Sequence, residues 1–398
     1  MTHHTEEFDL VVVGGGPAGA TAADELAKAG YSVALLDKAG RIKPCGGAIP
    51  PRLIQDFEIP ESLLCARISS ARMVSPSARV VDMPIEGGFV GMVNREVFDE
   101  YLRARAATHG ATRIAGAYER ISREADGPAT VHYKTKDKQE HSVRARLVIG
   151  ADGALSKVRK QEVSEKPPEF VFAYHEIVDV SKSGAADYDG ARCDVIYDGK
   201  TSPDFYGWVF PHGNTASIGA GSAQTGFKLR TSVSDLREKS GLGHARTTRR
   251  EGAPIPMKPL KRWDNGRDVV LAGDAAGVVA PSSGEGIYYA MVGGEVAALA
   301  GAEFLETGDA RALKQARRRF MKSHGRVFWI LGVMQHFWYK NDKRRERFVS
   351  MCDDPDVQEL TWQAYMNKEL VRAKPAAHMR IFFKDMAHLL GLGSPTRA

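Results

Sequence analysis

The stretch FDLVVVGGGPAGATAADELAKAGYSVALLD, residues 8–37, constrains this chain more than any other. Val11, Val12 and Val13 form a continuous apolar run, as a parallel strand buried on both faces requires. Gly14, Gly16 and Gly19 then fit the pattern GxGxxG, with Pro17 and Ala18 inside it, and Asp37 followed by Lys38 closes the next strand. Strand, glycines, helix, strand and acid in this order predict a dinucleotide-binding βαβ unit. Its glycines let backbone approach a pyrophosphate at the positive end of a helix, while the acid accepts hydrogen bonds from a ribose.

Composition excludes several alternatives. At 398 residues with 43% hydrophobic and 26% charged, the chain supports two or three globular lobes around a sizeable core. The four cysteines (Cys45, Cys65, Cys193, Cys352) form no CxxC pair and no Cys/His cluster, which argues against a disulfide framework and a metal site and fits a reducing cytoplasm. The N-terminus does not read as a signal peptide, and the longest apolar run, 327–339, is shorter than the roughly 20 residues needed to span a bilayer. The net charge of +6 is concentrated: residues 311–347 hold twelve Lys/Arg against two Asp/Glu, leaving the remainder slightly acidic. No recognition module accompanies this basic run, so nucleic-acid binding is not expected.

Four further stretches carry chemistry. KPCGGAI (43–49) places Cys45 between a proline and Gly46-Gly47, a loop built for close backbone approach to a ligand. RARLVIGADGALSKVR (144–159) is a strand running into Asp152-Gly153, and DVVLAGDAAGVVAPSSGEGI (268–287) is a strand running into Gly273-Asp274. Gly284 and Gly286 precede a helix beginning at Ile287, where bare amides at a positive helix end would favour an anionic ligand edge. Gly293-Gly294 inside that helix reads as close packing against the sheet. In FYGWVFP (205–211), period two puts Tyr206, Trp208 and Phe210 on one strand face, ahead of Pro211, and Phe205, Gly207 and Val209 on the other. That aromatic face reads equally as sheet core or as the wall of an apolar pocket. GAG at 219–221 is no second fingerprint, since no third glycine and no helix follow.

The GxGxxG, DG and GD segments, in this order, resemble FAD-dependent enzymes of the p-hydroxybenzoate hydroxylase type. The resemblance implies an α/β fold: a Rossmann-type FAD-binding domain with an inserted antiparallel β-sheet substrate domain and a helical C-terminal region. The expected organisation is 1–160 and 261–312 for the FAD-binding domain, 161–260 for the β-rich domain and 313–398 for the basic helical region. The resemblance also implies that Asp274 contacts the flavin ribityl chain, that Arg95 lies near the FAD phosphates and that the DG segment supports the pyrophosphate region.

The PCGG loop together with YGWVFP resembles, more narrowly, the geranylgeranyl reductase family. This implies FAD as cofactor, NADPH as reductant and saturation of three double bonds of a geranylgeranyl chain. The longer match KPCGGAIP resembles the bacterial branch acting on geranylgeranyl bacteriochlorophyll, with geranylgeranyl diphosphate as a further substrate. Saturating an isolated alkene needs a hydride on one carbon and a proton on the other; Cys45 and Tyr206 are the candidate acids, beside Trp208, with Phe210 and Pro211 lining the pocket. Cys45 fits equally a gating or a packing role. The rival readings are an archaeal-type prenyl-lipid reductase, a flavin monooxygenase and a non-catalytic prenyl-pigment binding factor. A halogenase is disfavoured because its WxWxIP motif is replaced here. Aromatics flanked by basic clusters across 311–347 suit peripheral contact with an anionic photosynthetic (inner) membrane as well as a buried helix.

Overall fold

A computed structural model describes residues 6–38, 42–124, 127–181 and 187–368. The chain divides into two compact units: residues 1–47, 93–173 and 252–333, and residues 48–92, 174–251 and 334–398.

The first unit is built on β1 (Glu7–Val13), β2 (Val33–Asp37), β8 (Thr112–Ala115), β9 (Ala117–Ser122), β10 (Ala129–Lys134), β11 (Glu140–Gly150) and β17 (Val269–Leu271). They form one sheet in the order β8-β2-β1-β11-β10-β9, with β17 paired to β11. The pairs β1–β2, β1–β11, β2–β8 and β11–β17 are parallel, so the three motif-bearing strands β1, β11 and β17 run side by side toward one edge. Leu10–Val13, Leu147–Ile149 and Val269–Leu271 are all at most 2% exposed, as the unbroken apolar runs require. Helices α1 (Pro17–Lys28), α3 (Arg95–Thr108), α4 (Lys157–Glu162) and α6 (Ile287–Thr307) belong to this unit, as does most of α7 (Lys314–Trp338). Gly294 packs against the backbone of Ala18 in α1, while Gly293 closes on the Gly273 amide just beyond β17, so the glycine pair of α6 lets that helix press on α1 and on the end of the sheet alike.

The second unit holds a sheet in the order β16-β12-β15-β14-β13-β5-β6, from β5 (Ser70–Val74), β6 (Val80–Pro84), β12 (Phe170–Asp179), β13 (Arg192–Ile196), β14 (Gly207–His212), β15 (Thr215–Ser222) and β16 (Thr247–Pro256). The pairs β13–β14, β14–β15 and β5–β6 are antiparallel, but β13 and β5 are parallel. The sheet therefore recruits two strands from residues 70–84, a mixed pairing that a purely antiparallel insertion lacks. A smaller sheet joins β3 (Ala48–Ile49), β7 (Val90–Val93) and β4 (Leu64–Ile68). One face of β14 and β15 (Val209, Ala216, Ile218, Ala220) packs on Val233 and Leu236 of α5 (Leu229–Lys239). Helices α2 (Pro51–Asp56), α8 (Asp342–Met351) and α9 (Pro355–Asn367) complete the unit.

Candidate active site

In the first unit, the fingerprint glycines have separable roles. Gly14 has φ +105°, and a methyl there would overlap the Ala151 carbonyl at the end of β11; a methyl at Gly19 would overlap the Gly14 carbonyl oxygen. Both are demanded by backbone closing on backbone. Gly16, the residue preceding α1, has no heavy atom within 4 Å of the position its side chain would take, so its bareness leaves room at the helix N-terminus. Asp37 Oδ1 accepts the Gly15 amide at 3.0 Å, anchoring the acid at the fingerprint, while the exposed Lys38 follows it. Arg103 of α3 donates to the Gly15 carbonyl at 3.1 Å and stands 3.6 Å from Asp37. Sequence reading had no signal for Arg103, whose approach depends on how α3 packs.

The GD turn brings Asp274 to the PCGG loop. Lys43 Nζ donates to Asp274 Oδ2 at 2.5 Å, and the carboxylate side chain is only 7% exposed. The neighbouring Cys45 Sγ accepts the Gly47 amide at 3.4 Å, and the Gly47 carbonyl accepts Val93 N–H at 2.9 Å. Arg95, first residue of α3, is buried and grips Asp99 with two hydrogen bonds of 2.8 Å. Burial opposes its charge, but Asp99 and the Cys45 sulfur beside it outweigh that cost and hold the guanidinium firmly protonated.

One sequence expectation needs correction here. The Gly284 amide is not bare: it donates to the Ala280 carbonyl at 2.9 Å. At the start of α6 the buried Glu285 accepts the Tyr288 amide at 3.0 Å, so a carboxylate of the chain itself already meets the positive helix end preceded by Gly286. Asp152, likewise, spends its carboxylate on the turn that follows it, accepting from the Ser156 hydroxyl and from the amides of Lys157 (2.6 Å) and Val158 (3.1 Å). Burial pushes its carboxyl up and those hydrogen bonds pull it back only in part. Its side chain closes the turn between β11 and α4.

In the second unit the three aromatic rings line up, although the strand begins only at Gly207, so that Tyr206 as well as Phe205 precedes it. Ring centroids of Tyr206 and Trp208 lie 6.0 Å apart and those of Trp208 and Phe210 6.2 Å apart. Phe205 does not take the opposite strand face: it precedes β14, and its ring stacks on Tyr206 at 4.3 Å. The cluster extends through Tyr197 to Tyr339 and Phe348, with centroids 5.4 and 5.0 Å from Tyr197. Pro211 is buried and pairs with Ala216 across the hairpin. Tyr339, from the stretch suited to a membrane surface by composition, is 4% exposed, and Arg345 beyond it is buried against the Tyr339 and Pro203 carbonyls. That part of the basic segment is protein core.

The remaining thiols are unsuited to ionise near neutrality. Burial pushes Cys65 up to about 11 and Cys352 up to about 12, and raises Cys193 as well. Among the described residues no group of three His, Cys, Asp or Glu could hold a metal ion, and no helix is long and apolar enough to cross a membrane.

Comparison with known proteins decides the family. Residues 8–176 match the model for pyridine nucleotide-disulphide oxidoreductases. The chain is 57% identical over 389 residues to the geranylgeranyl diphosphate reductase of Rhodobacter capsulatus, covering 98% of this chain and 99% of that one. It belongs to the geranylgeranyl reductase family. The chloroplastic geranylgeranyl diphosphate reductase of Oryza sativa is 34% identical, over 96% of this chain and 86% of its own. A geranylgeranyl bacteriochlorophyll reductase-like protein of Thermoplasma acidophilum, 23% identical, has the same fold, with TM-score 0.79 over 94% of this chain and all of that one. As a geranylgeranyl reductase, the chain is an FAD-dependent oxidoreductase, and the open position at Gly16 beside the anchored Asp37 fits a dinucleotide at the α1 N-terminus.

Proposed function

We propose that this geranylgeranyl reductase uses NADPH to saturate three double bonds of the geranylgeranyl chain of bacteriochlorophyll, giving the phytyl form. The observation that carries the reading is the near-full-length likeness to a bacterial geranylgeranyl diphosphate reductase, with the KPCGGAIP and YGWVFP stretches in place. A second reading, free geranylgeranyl diphosphate as substrate, is favoured by the names of both curated relatives.

In this reading Gly14, Gly16, Pro17, Ala18 and Gly19 receive the pyrophosphate, Asp37 and Lys38 meet the adenosine end, and Gly273, Asp274 and the 284–287 turn meet the flavin end. Lys43, Cys45, Gly46, Gly47 and Arg95 form the loop side of the cofactor site, and the DG turn contributes through its backbone. Bound FAD supplies hydride chemistry. The chain's own residues keep water out, hold the prenyl chain and deliver the proton to the second alkene carbon, for which Cys45 and Tyr206 are the candidates. Tyr206, Trp208, Phe210 and Pro211 offer the apolar wall. The enzyme meets its lipidic substrate at the surface of the inner membrane through α7. There Arg318, Lys322 and Arg326 are exposed in line with Trp329 and Val333, themselves 70% and 50% exposed.

The test is anaerobic incubation of FAD-loaded protein with NADPH and geranylgeranyl bacteriochlorophyll, read by mass spectrometry. Three successive gains of a hydrogen pair are expected. Unchanged pigment alongside reduced geranylgeranyl diphosphate would select the second reading, and neither product would overturn both.

A further inference from the structure

Four adjacent strands of the second unit carry a buried chain of hydrogen bonds that ends on the indole of Trp208. Glu251 lies on β16, His175 on β12, Ser217 on β15 and Trp208 on β14, strands that neighbour one another in that order. Trp208 Nε1 donates to Ser217 Oγ at 3.1 Å, Ser217 Oγ lies 2.8 Å from His175 Nδ1, and His175 Nε2 lies 3.1 Å from Glu251 Oε2. His175 and Ser217 are 3% and 0% exposed.

The chemistry fixes both ends of this chain. An indole can only donate and a carboxylate can only accept. A neutral imidazole with its proton on Nε2 donates to Glu251 and presents a bare Nδ1, to which the Ser217 hydroxyl donates while accepting from Trp208. Every polar atom along the line is then satisfied, in a region where an unmet partner is costly. Gly219, directly across from Trp208 on β15, completes the arrangement. A methyl there would overlap the Trp208 ring and crowd the His175 side chain, so the GAG stretch that is no fingerprint makes space for these two rings.

We infer that His175 and Ser217 are positioning residues that fix the Trp208 ring and thereby set how far the prenyl chain is reduced. The inference rests on the reading of Trp208 as pocket wall. A ring held at one angle by its only polar atom presents a fixed surface to a long, featureless chain, and a chain reduced in three steps must be re-seated at each one.

The experiment uses full-length, FAD-loaded protein labelled with 5-fluorotryptophan, whose five tryptophans give five fluorine signals. Trp208→Phe identifies one signal as that of Trp208. Ser217→Ala is expected to shift or broaden that signal alone and to raise the proportion of partly reduced product about tenfold, the scale of one lost buried hydrogen bond. His175→Asn, which keeps a group able to reach the Ser217 hydroxyl, is expected to restore most of both, and His175→Ala neither. In the Trp208→Phe background, Ser217→Ala is expected to add nothing. Additive effects, or an unmoved Trp208 signal in Ser217→Ala, would overturn the inference. Unchanged products in Trp208→Phe itself would overturn the wall reading and the inference with it.

Discussion

At the scale of single residues, glycines that look alike in sequence separate into structural and ligand-facing ones. Gly19→Ala drives a methyl into the Gly14 carbonyl and is expected to give little folded protein. Gly16→Ala meets no protein atom, so the apoprotein should melt within about 2 °C of the parent while FAD binding weakens at least about tenfold, the methyl occupying the pyrophosphate's space. Melting curves with and without FAD distinguish these outcomes; equal loss of folding in both variants would contradict the assignment. The cysteines allow a second test. With Cys65 and Cys352 pushed up to about 11 and about 12 and Cys193 raised too, these thiols stay protonated at pH 8, and Cys193 and Cys352 are buried besides. Ellman's reagent should label Cys45, half-buried like Cys65 but beside the Arg95 guanidinium, fastest in the native chain, and that fast phase should be lost in Cys45→Ser. Because folding raises these acids above the ordinary thiol value of 9, their contribution to stability is complete below pH 9 and is lost as pH rises toward 11 and 12. The denaturation midpoint should therefore fall over that window. The same Cys45→Ser protein should retain FAD and reduce the alkene more slowly; unaltered turnover would remove Cys45 from proton delivery.

At the scale of elements, the legibility of the sequence follows the distance over which each contact is made. The fingerprint could be read because strand, turn and helix are consecutive, and the aromatic face because period two is local. The Lys43–Asp274 pair joins residues 231 apart and leaves no local trace. Asp152 and Gly284 were read by motif, yet their hydrogen bonds turn inward, because a helix start or a tight turn satisfies its own polar groups first. Helix α7 shows how composition overreaches: its basic and aromatic residues look uniform, but the fold buries Phe320 and Phe328 and leaves Arg318, Lys322, Arg326, Trp329 and Val333 outward. Parent protein should co-sediment with vesicles rich in anionic lipid. Replacing Arg318, Lys322 and Arg326 by Gln should weaken binding by about 3 kcal/mol at low salt, near 1 kcal/mol per charge. Absence of binding by the parent protein would end the membrane reading.

At the scale of the whole molecule, neither of the two large sheets is made from one stretch of chain, and this limits what can be cut out. In the first unit, β1, β11 and β17 lie in three segments up to 264 residues apart in sequence, yet β11 pairs in parallel with both of the others. A fragment ending at residue 160 lacks β17 and the GD turn that delivers Asp274. In the second unit the central pairing is equally non-local: Arg192–Ile196 pairs in parallel with Ser70–Val74, and Cys193 joins Ile68, Ile85, Val90 and Met92 in one cluster. A fragment of residues 161–260 would therefore expose one full edge of β13, the unpaired template that invites association, and would leave Cys193 without its cluster. Parallel pairing across such separations is where register is least visible in sequence, which is why the insertion looked self-contained while its sheet was not. The fragment is expected to show no cooperative melting and to aggregate at micromolar concentration, whereas the fragment's residues within the full chain should show slow amide exchange along β13, β14 and β15. A monomeric, cooperatively folding 161–260 fragment would mean that β5 and β6 decorate this sheet without being needed to form it.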